Sequence, residues 1–446
     1  MTAFTRHTLA NGLTILARER RQAPVVTFFV WYRVGARNEL PGITGISHWV
    51  EHMLFKGTPR FGKGELDRLV SGVGGQWNGF TWLDFTAYFE RMPEEHLDLA
   101  LDIEADRMVN AIFDPDEVES ERTVIISERQ GLENHPGFWL GEATLAAAYQ
   151  AHPYRQGVIG SISDLQAITR DDLYRHYRRY YVPNNAVVVA VGDFAAEDLI
   201  SKVDQVFGAI PQGEEEIPPV RVIEPKQQGE RRVTIRRPGP AHHLNIVYHA
   251  PPGRHDDIMP LMVADGVLSG GKGAGGGGGG GMGKSSRFYR RLVDSGLATQ
   301  ASSHVIMSRD PGIFEIDLTL RSEADPRQVE ETVLTMIDEL AAEGPSAEEF
   351  ARAVKQMRAQ LAYGTDGVLS QAMLLGRLAM IGREDDFDRL DRLIDAVTPD
   401  QVRRAAAAYL HEDNRTVGWF VPRHGPAVPD TAAETPAGTG QEGGGD

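Results

Sequence analysis

His48-Trp49-Val50-Glu51-His52 sets two imidazoles and one carboxylate on a single face of a helix. At about 100° per residue, with His48 as origin, His52 falls at about 40° and Glu51 at about 300°. The apolar residues Ile46, Val50, Met53 and Leu54 fall at about 140° to 240°, so the polar face is turned away from the packing face. Gly42 to Lys56 therefore reads as an amphipathic helix, with Gly57 as its C-terminal stop. Histidines at i and i+4 reach one tetrahedral zinc, and Glu51 stands beside the remaining coordination position. A carboxylate there can take a proton from water that the metal has made more acidic. The bland alternative is a pair of surface histidines. Two on one face arise often by chance, whereas the whole H-x-x-E-H string is much rarer and is an inverzincin signature.

A third ligand is needed. Asp114-Pro115-Asp116-Glu117 reads as a helix start, with Asp114 as cap, Pro115 in first position and Glu117 completing a capping box. The helix is expected to run through Val118, Val124 and Ile125 to Leu132, with part of its face buried. Glu121 and Glu128 lie two turns apart on one side. A glutamate on a partly buried face calls for a cation. Two readings stand side by side. Glu128 completes a His48, His52, Glu128 ligand set with Glu121 supporting it, or both glutamates form a solvated stripe paired with Arg122 and Arg129.

His48-x-x-Glu51-His52 followed by Glu121-Arg122-Thr123-Val124-Ile125-Ile126-Ser127-Glu128 resembles the pitrilysin family of zinc peptidases, in its branch of mitochondrial processing peptidase and bacterial relatives. Leu9 to Thr14, His52 to Thr58, Asn78 to Thr81, His152-Pro153-Tyr154 and Tyr181 to Asn185 match as well. The resemblance is specific over residues 1–200 and weaker, but continuous, afterwards. It implies one zinc per chain held by His48, His52 and Glu128, Glu51 as general base, and Glu121 in support. It implies a peptide substrate laid as an added strand along Asn78, Gly79, Phe80 and Thr81. Gln76 to Glu90 alternates and is rich in aromatics and Thr, so it reads as a strand, and strand addition binds through the backbone.

Composition narrows the rest. The chain has 446 residues, net charge −17 and no cysteine. Disulfides and cysteine-based metal or nucleophile chemistry are excluded. No basic stripe suits nucleic acid, and no apolar run of about 18 residues suits a membrane span. The N-terminus leads into a strand-like Leu9 to Ala17 with an Asn11-Gly12 turn, without a secretory apolar region. A cytoplasmic location is expected.

The chain also repeats itself. Ile168 to Val191 and Val397 to Phe420 both read helix, Tyr, Asn, apolar strand, and they align without a gap: Asp171 with Asp400, Arg175 with Arg404, Tyr180 with Tyr409, Asn185 with Asn414. This predicts an α+β fold of two homologous halves. Each half is expected to be a mixed or antiparallel sheet packed with helices; the resemblance adds a clam-shell chamber. The expected layout is a zinc-binding domain over 1–211, an extended linker over 212–228, a second domain over 229–423 and a disordered tail over 424–446.

The second half has no H-x-x-E-H, and His242, His243 and His249 read as structural. A glycine-rich loop spans 270–283. Gly278 to Ser285 fits G-x-x-x-x-G-K-S, but Leu261 to Asp265 before it looks helical, and a glycine run makes the match nearly automatic, so a nucleotide-binding loop is set aside. By the resemblance, such a loop handles substrate; otherwise it is a surface loop. Active relatives carry an Arg and a Tyr seven residues apart in this half, to hold the substrate carbonyl. Leu292 and Thr299 stand in those places, with Arg287, Arg290 and Arg291 out of register. The expectation is a catalytic zinc subunit of a heterodimer whose partner brings the Arg/Tyr pair, with a homodimer as the second arrangement. The competing class is a non-catalytic structural subunit of a larger assembly.

Overall fold

The computed structural model describes residues 4–271 and 283–423. The tail from His424 and most of the glycine run, with residues 278–282 of its phosphate-loop-like string, lie outside the described residues.

The first sheet holds β1 (Thr5–Thr8), β2 (Thr14–Glu19), β3 (Val25–Tyr32), β4 (Gln76–Thr81), β5 (Thr86–Pro93) and β6 (Ala186–Gly192), in the order β1-β2-β6-β3-β5-β4. The second holds β7 (Arg231–Pro238), β8 (His243–His249), β9 (Ala298–Val305), β10 (Ile313–Leu320) and β11 (Arg415–Arg423), in the order β7-β11-β8-β10-β9. Without β1 the two orders are the same. In each sheet the first of these strands runs parallel to the last strand in sequence, and the other pairs are antiparallel. The fold is α+β, in two homologous halves.

The helices of the first half are α1 (Ile46–Met53), α2 (Glu65–Gly72), α3 (Leu97–Asn110), α4 (Pro115–Glu133), α5 (Pro136–Ala148), α6 (Ile162–Ala167), α7 (Arg170–Tyr180) and α8 (Ala196–Phe207). Those of the second are α9 (Ile258–Ser269), α10 (Pro326–Glu343), α11 (Ala347–Gly364), α12 (Val368–Ile381), α13 (Leu390–Asp395) and α14 (Pro399–Tyr409). The repeat read in the sequence is α7–β6 and α14–β11. Both helices begin with a capping box, on Thr169 and on Thr398. Both strands are led in by the same bond, Asn185 Nδ2 to Tyr180 O at 2.9 Å and Asn414 Nδ2 to Tyr409 O at 2.7 Å.

Each sheet packs one face on helices of its own half. Phe28, Val30, Tyr32, Val188 and Tyr88 meet Trp49, Leu101, Leu173 and Leu199; Ile246, Phe314, Ile316 and Leu318 meet Leu261, Val333 and Val402. The other faces are covered by exchange. Phe29, Trp31, Val187 and Val189 lie under Leu374, Leu375 and Leu378 of α12. In return α5 crosses β7, β8 and β11. A glycine permits the close approach at each crossing. A Cβ on Gly376 of α12 would stand 2.1 Å from the Trp31 ring, and one on Gly418 of β11 would stand 2.1 Å from Thr144 Oγ1 of α5.

A polar latch also joins the halves. Arg37 Nε donates to Asp310 at 2.6 Å, and His152 Nε2 lies 3.1 Å from the same carboxylate. Beside it, Asp84 accepts from the Tyr154 hydroxyl at 2.6 Å and from the Arg309 N–H at 2.9 Å.

Several local expectations change. Helix α1 is shorter than Gly42 to Lys56, because Gly42 and Gly45 take positive φ and Leu54 to Lys56 leave as tight turns. Gln76 to Glu90 is a hairpin, not one strand: Trp82 N–H bonds Phe85 O at 2.8 Å, and alternation continues across the turn. The N-terminal pairing begins at Thr5, with Leu9 to Leu13 as its turn. Val124 is exposed while Ile125 is buried. Glu117 pairs with Lys63 at 2.5 Å, and no capping-box return bond forms. Residues 212–228 hold no helix or strand and are pinned by Glu224, which accepts from the N–H groups of Gln150, Ala151 and His152.

Candidate metal centre

Helices α1 and α4 build the centre. His48 Nε2 and His52 Nε2 lie 3.2 Å apart. Glu128 Oε2 is 3.7 Å from the first and 3.8 Å from the second. Ligand atoms on one tetrahedral zinc stand about 3.3 Å apart, so this donor set fits such an ion with shifts of a few tenths of an ångström. Two imidazole nitrogens that face each other this closely cannot both carry protons. Burial, then the neighbouring His52, pushes His48 down to about 3, which leaves it neutral, as a metal ligand must be.

The supporting groups are ordered. His52 Nδ1 lies 2.9 Å from Glu121 Oε2, which fixes Nδ1–H as donor and leaves the Nε2 lone pair aimed at the cluster. Lys56 Nζ pairs with the other oxygen of Glu121. Burial alone would pull His52 down; the bond from Glu121 and the charges of Glu51, Glu121 and Glu128 outweigh it and hold the ring above its ordinary value. Burial would raise Glu121, but its bonds from His52 and Lys56 hold it below the usual carboxylate range. The solvated-stripe reading of α4 does not survive. Arg122 turns to Glu119 and to the carbonyls of Leu165 and Ile168, and Arg129 turns to Glu133, Glu142 and the carbonyl of Gly160. Glu121 is buried, and Glu128 stands half exposed at the mouth.

Glu51 is 7% exposed. Its Oε2 accepts from the Thr81 hydroxyl at 2.7 Å. Burial raises Glu51, and the Thr81 bond opposes it without cancelling it. Thr81 in turn lies 3.3 Å from the Thr86 hydroxyl, which donates to Val34 O. The sequence offers Thr81 as part of a substrate edge; the structure adds that its hydroxyl serves Glu51. Lys56 is a second residue missed by residue-level reading, although its place one turn after His52 is the available signal.

Strand β4 forms the outer edge of the first sheet. Asn78 is exposed and accepts from the Gly79 N–H at 2.9 Å. Gly79 has no room for a side chain, since a Cβ would lie 2.8 Å from Tyr88 and 3.0 Å from Phe55. Phe80 packs edge-on against Trp31 and Phe85 on the opposite face from Glu51. In the second half Leu292 is fully buried in a π-helical turn, and Thr299 donates to Thr319 O at 3.2 Å. Neither side chain can take the role of a cation or phenol at the metal. Arg287 pairs with Glu349 and Arg291 with Glu339.

One further His/Glu/Asp group is present among the described residues, at His304, Glu315 and Asp317. His304 Nε2 pairs with Glu315 at 3.1 Å, and Asn245 Nδ2 donates to Glu315 at 2.6 Å and to Asp317 at 2.7 Å. Those bonds account for the cluster. His243 and His249 bond Thr319 and Ala148 O, in keeping with structural roles. No helix among the described residues is long and apolar enough to cross a membrane.

Comparison with known proteins gives the same picture. The insulinase (peptidase family M16) profile matches residues 14–161, and the peptidase M16 inactive domain profile matches residues 167–357. The zinc protease PqqE of Helicobacter pylori is 33% identical over 69% of this chain and 68% of its own. The mitochondrial-processing peptidase subunit beta of Blastocladiella emersonii is 25% identical over 92% of this chain and 86% of its own. A solved protease structure from Helicobacter pylori superposes with a TM-score of 0.89 at 26% identity, over 95% of this chain and all of that one. With H-x-x-E-H on α1, two repeated α+β halves and these relatives, the chain belongs to the insulinase family of peptidases, family M16.

Proposed function

We propose that this protein is a zinc metalloendopeptidase acting on short or unfolded peptides, and the catalytic subunit of a heterodimer. The observation that carries this reading is the convergence of His48 Nε2, His52 Nε2 and Glu128 Oε2 beside a buried Glu51. His48, His52 and Glu128 would hold the zinc. Bound there, zinc would polarise the scissile carbonyl and make an attacking water more acidic.

The protein's own groups do the rest. Glu51 is the general base. Thr81 occupies its Oε2, so Oε1 is the atom left to accept a proton and later return it to the leaving amine. Glu121, braced by Lys56, keeps His52 in the tautomer that presents Nε2. Strand β4 receives the substrate backbone along Asn78 to Thr81, because its outer hydrogen-bonding groups have no neighbouring strand. An extended edge binds only extended chain, which favours unfolded peptides within the clam-shell chamber that the resemblance implies.

The buried Leu292 and the bonded Thr299 support the two-subunit reading, since neither of these positions offers an electrostatic partner for the substrate carbonyl. A homologous subunit would supply it; a homodimer is the other arrangement. The same two residues favour the second reading, a non-catalytic subunit in a larger assembly. The deciding experiment measures bound zinc and cleavage of an unstructured fluorogenic peptide for the purified chain beside Glu51→Gln. Zinc in both proteins with almost no cleavage by either is expected of a subunit without its partner, whereas cleavage by the parent that falls at least about 10²-fold in the variant marks a self-sufficient peptidase. Full activity of the lone chain refutes the partner. A chain that takes up no zinc refutes the peptidase itself.

A further inference from the structure

Helix α1 starts without the side chain that usually caps a helix. Its N-cap is Gly45, at φ 89°, with no side-chain acceptor for the first free N–H groups. A capping side chain cannot be placed there. A Cβ on Gly45 would stand 2.5 Å from Ile159 O, and one on the facing Gly160 would stand 2.2 Å from Thr44 O. Two backbones pass each other here at a distance that excludes side chains.

The missing acceptors come from Glu39, which is 3% exposed. Its Oε2 accepts from Gly45 N–H at 2.8 Å, and its Oε1 accepts from Ser47 N–H at 2.9 Å. In a capping box two different side chains divide such bonds between them. Here one side chain makes both. Ser47 directly precedes His48 in the chain, and its hydroxyl lies 3.3 Å from His176 Nε2 on α7. On the other side Thr44 donates to Asp164 at 2.6 Å. The first turn of α1 is thus held from three directions, with Glu39 taking the N–H groups of Gly45 and Ser47.

We propose that Glu39 is a positioning residue of the metal centre, a remote cap that fixes the first turn of α1 and so the approach of His48 to His52 and Glu128. The inference rests on the metal-site reading above. Without Glu39, two N–H groups lose their acceptor inside the protein, and the first turn frays or rotates. His48 lies on that turn and His52 on the next, so the two nitrogens would move apart unequally. A set of ligand atoms spaced within a few tenths of an ångström of what zinc needs does not tolerate that.

The test compares the full chain with Glu39→Ala and Glu39→Gln. Zinc affinity is measured by competition with a chromophoric chelator, and the visible absorption of the cobalt-substituted proteins reports ligand geometry. Glu39→Ala is expected to bind zinc about ten- to a hundredfold more weakly, the range for residues that orient a ligand, with an altered cobalt spectrum. Glu39→Gln keeps one acceptor oxygen and is expected to recover part of the affinity. A variant that melts lower, yet binds zinc within twofold of the parent and shows the parent cobalt spectrum, overturns the proposal and leaves the metal site standing. Parent protein that binds neither metal overturns both. Should Glu39→Ala fail to fold, the nearly isosteric Glu39→Gln decides by the same criteria.

Discussion

Gly376→Ala tests the packing between the halves more directly than any change at the metal. The new methyl carbon would lie 2.1 to 2.3 Å from three atoms of the Trp31 indole. Ordinary contact needs about 3.5 Å, so ring or helix must yield by about 1.3 Å. The ring cannot turn aside. It is fully buried, stacks on Phe29 at 5.2 Å and meets Phe85 and Phe80 edge-on at 5.0 and 5.5 Å. Helix α12 must lift from the first sheet instead, and overpacking of this kind costs about 1–3 kcal/mol. With both partners rigid, about 3 kcal/mol is expected, offset by about 1 kcal/mol from the better helix propensity of alanine. For a chain of 446 residues the net loss of about 2 kcal/mol corresponds to a fall in Tm on the order of 2 °C. Calorimetry and urea unfolding of parent and variant would measure it. A Tm within a degree of the parent, or higher, would refute the account of α12 as the cover of Trp31.

The remaining expectations concern the other helix, the metal and the latch. Gly141 of α5 has open space where a Cβ would go, so Gly141→Ala should stabilise by about 0.5–1 kcal/mol, read as a higher urea midpoint. Glu121→Ala removes the acceptor that orders His52 and the partner of Lys56; zinc affinity measured by chelator competition should fall about ten- to a hundredfold. Burial would raise Asp310, but His152 and Arg37 hold it down to about 2, below its value in the unfolded chain. A lowered carboxylate stabilises the fold above its unfolded pKa and stops doing so as pH falls through its folded one. The contribution should therefore be complete above about pH 4 and vanish near pH 2. Discounted for its partly exposed position, it is worth about 1 kcal/mol. The gap in unfolding free energy between the parent and Asp310→Asn should narrow as pH is lowered through that window, and a gap that widens would contradict it.

What could be read in the sequence was what local geometry encodes. His48, Glu51 and His52 were visible together because ligand spacing and helical spacing coincide. The doubled α7–β6 and α14–β11 units were visible because a Tyr and an Asn recur at the same offsets, and each pair makes the same bond. Glu128 needed more than spacing; its two-turn offset from Glu121 marks a face but does not say what the face meets. Contacts between distant segments were not legible. The turn at Trp82 to Phe85 carries no Gly or Pro, and Asp84 within it is held by Tyr154 and by the Arg309 backbone. Thr81 reaches Glu51, and Glu39 reaches α1, only once the chain has folded back. The apolar run of α12 announces burial, yet nothing in its composition names the sheet of the opposite half as the surface it covers.

The exchange of α5 and α12 also bears on what a cut in the chain would do. The segment between residues 212 and 228 is the covalent bridge between the sheets, yet each side of it keeps a helix whose apolar surface belongs to the other side. Severing that bridge would leave two fragments that each expose a bare sheet face and a stray helix, every one of which finds its match on the other fragment. Such pieces, produced separately, would behave as obligate complements, insoluble apart and one particle together. A duplicated ancestor that swapped these helices in this way would have bound its two copies to a common fate, since from then on neither could be lost without unfolding the other.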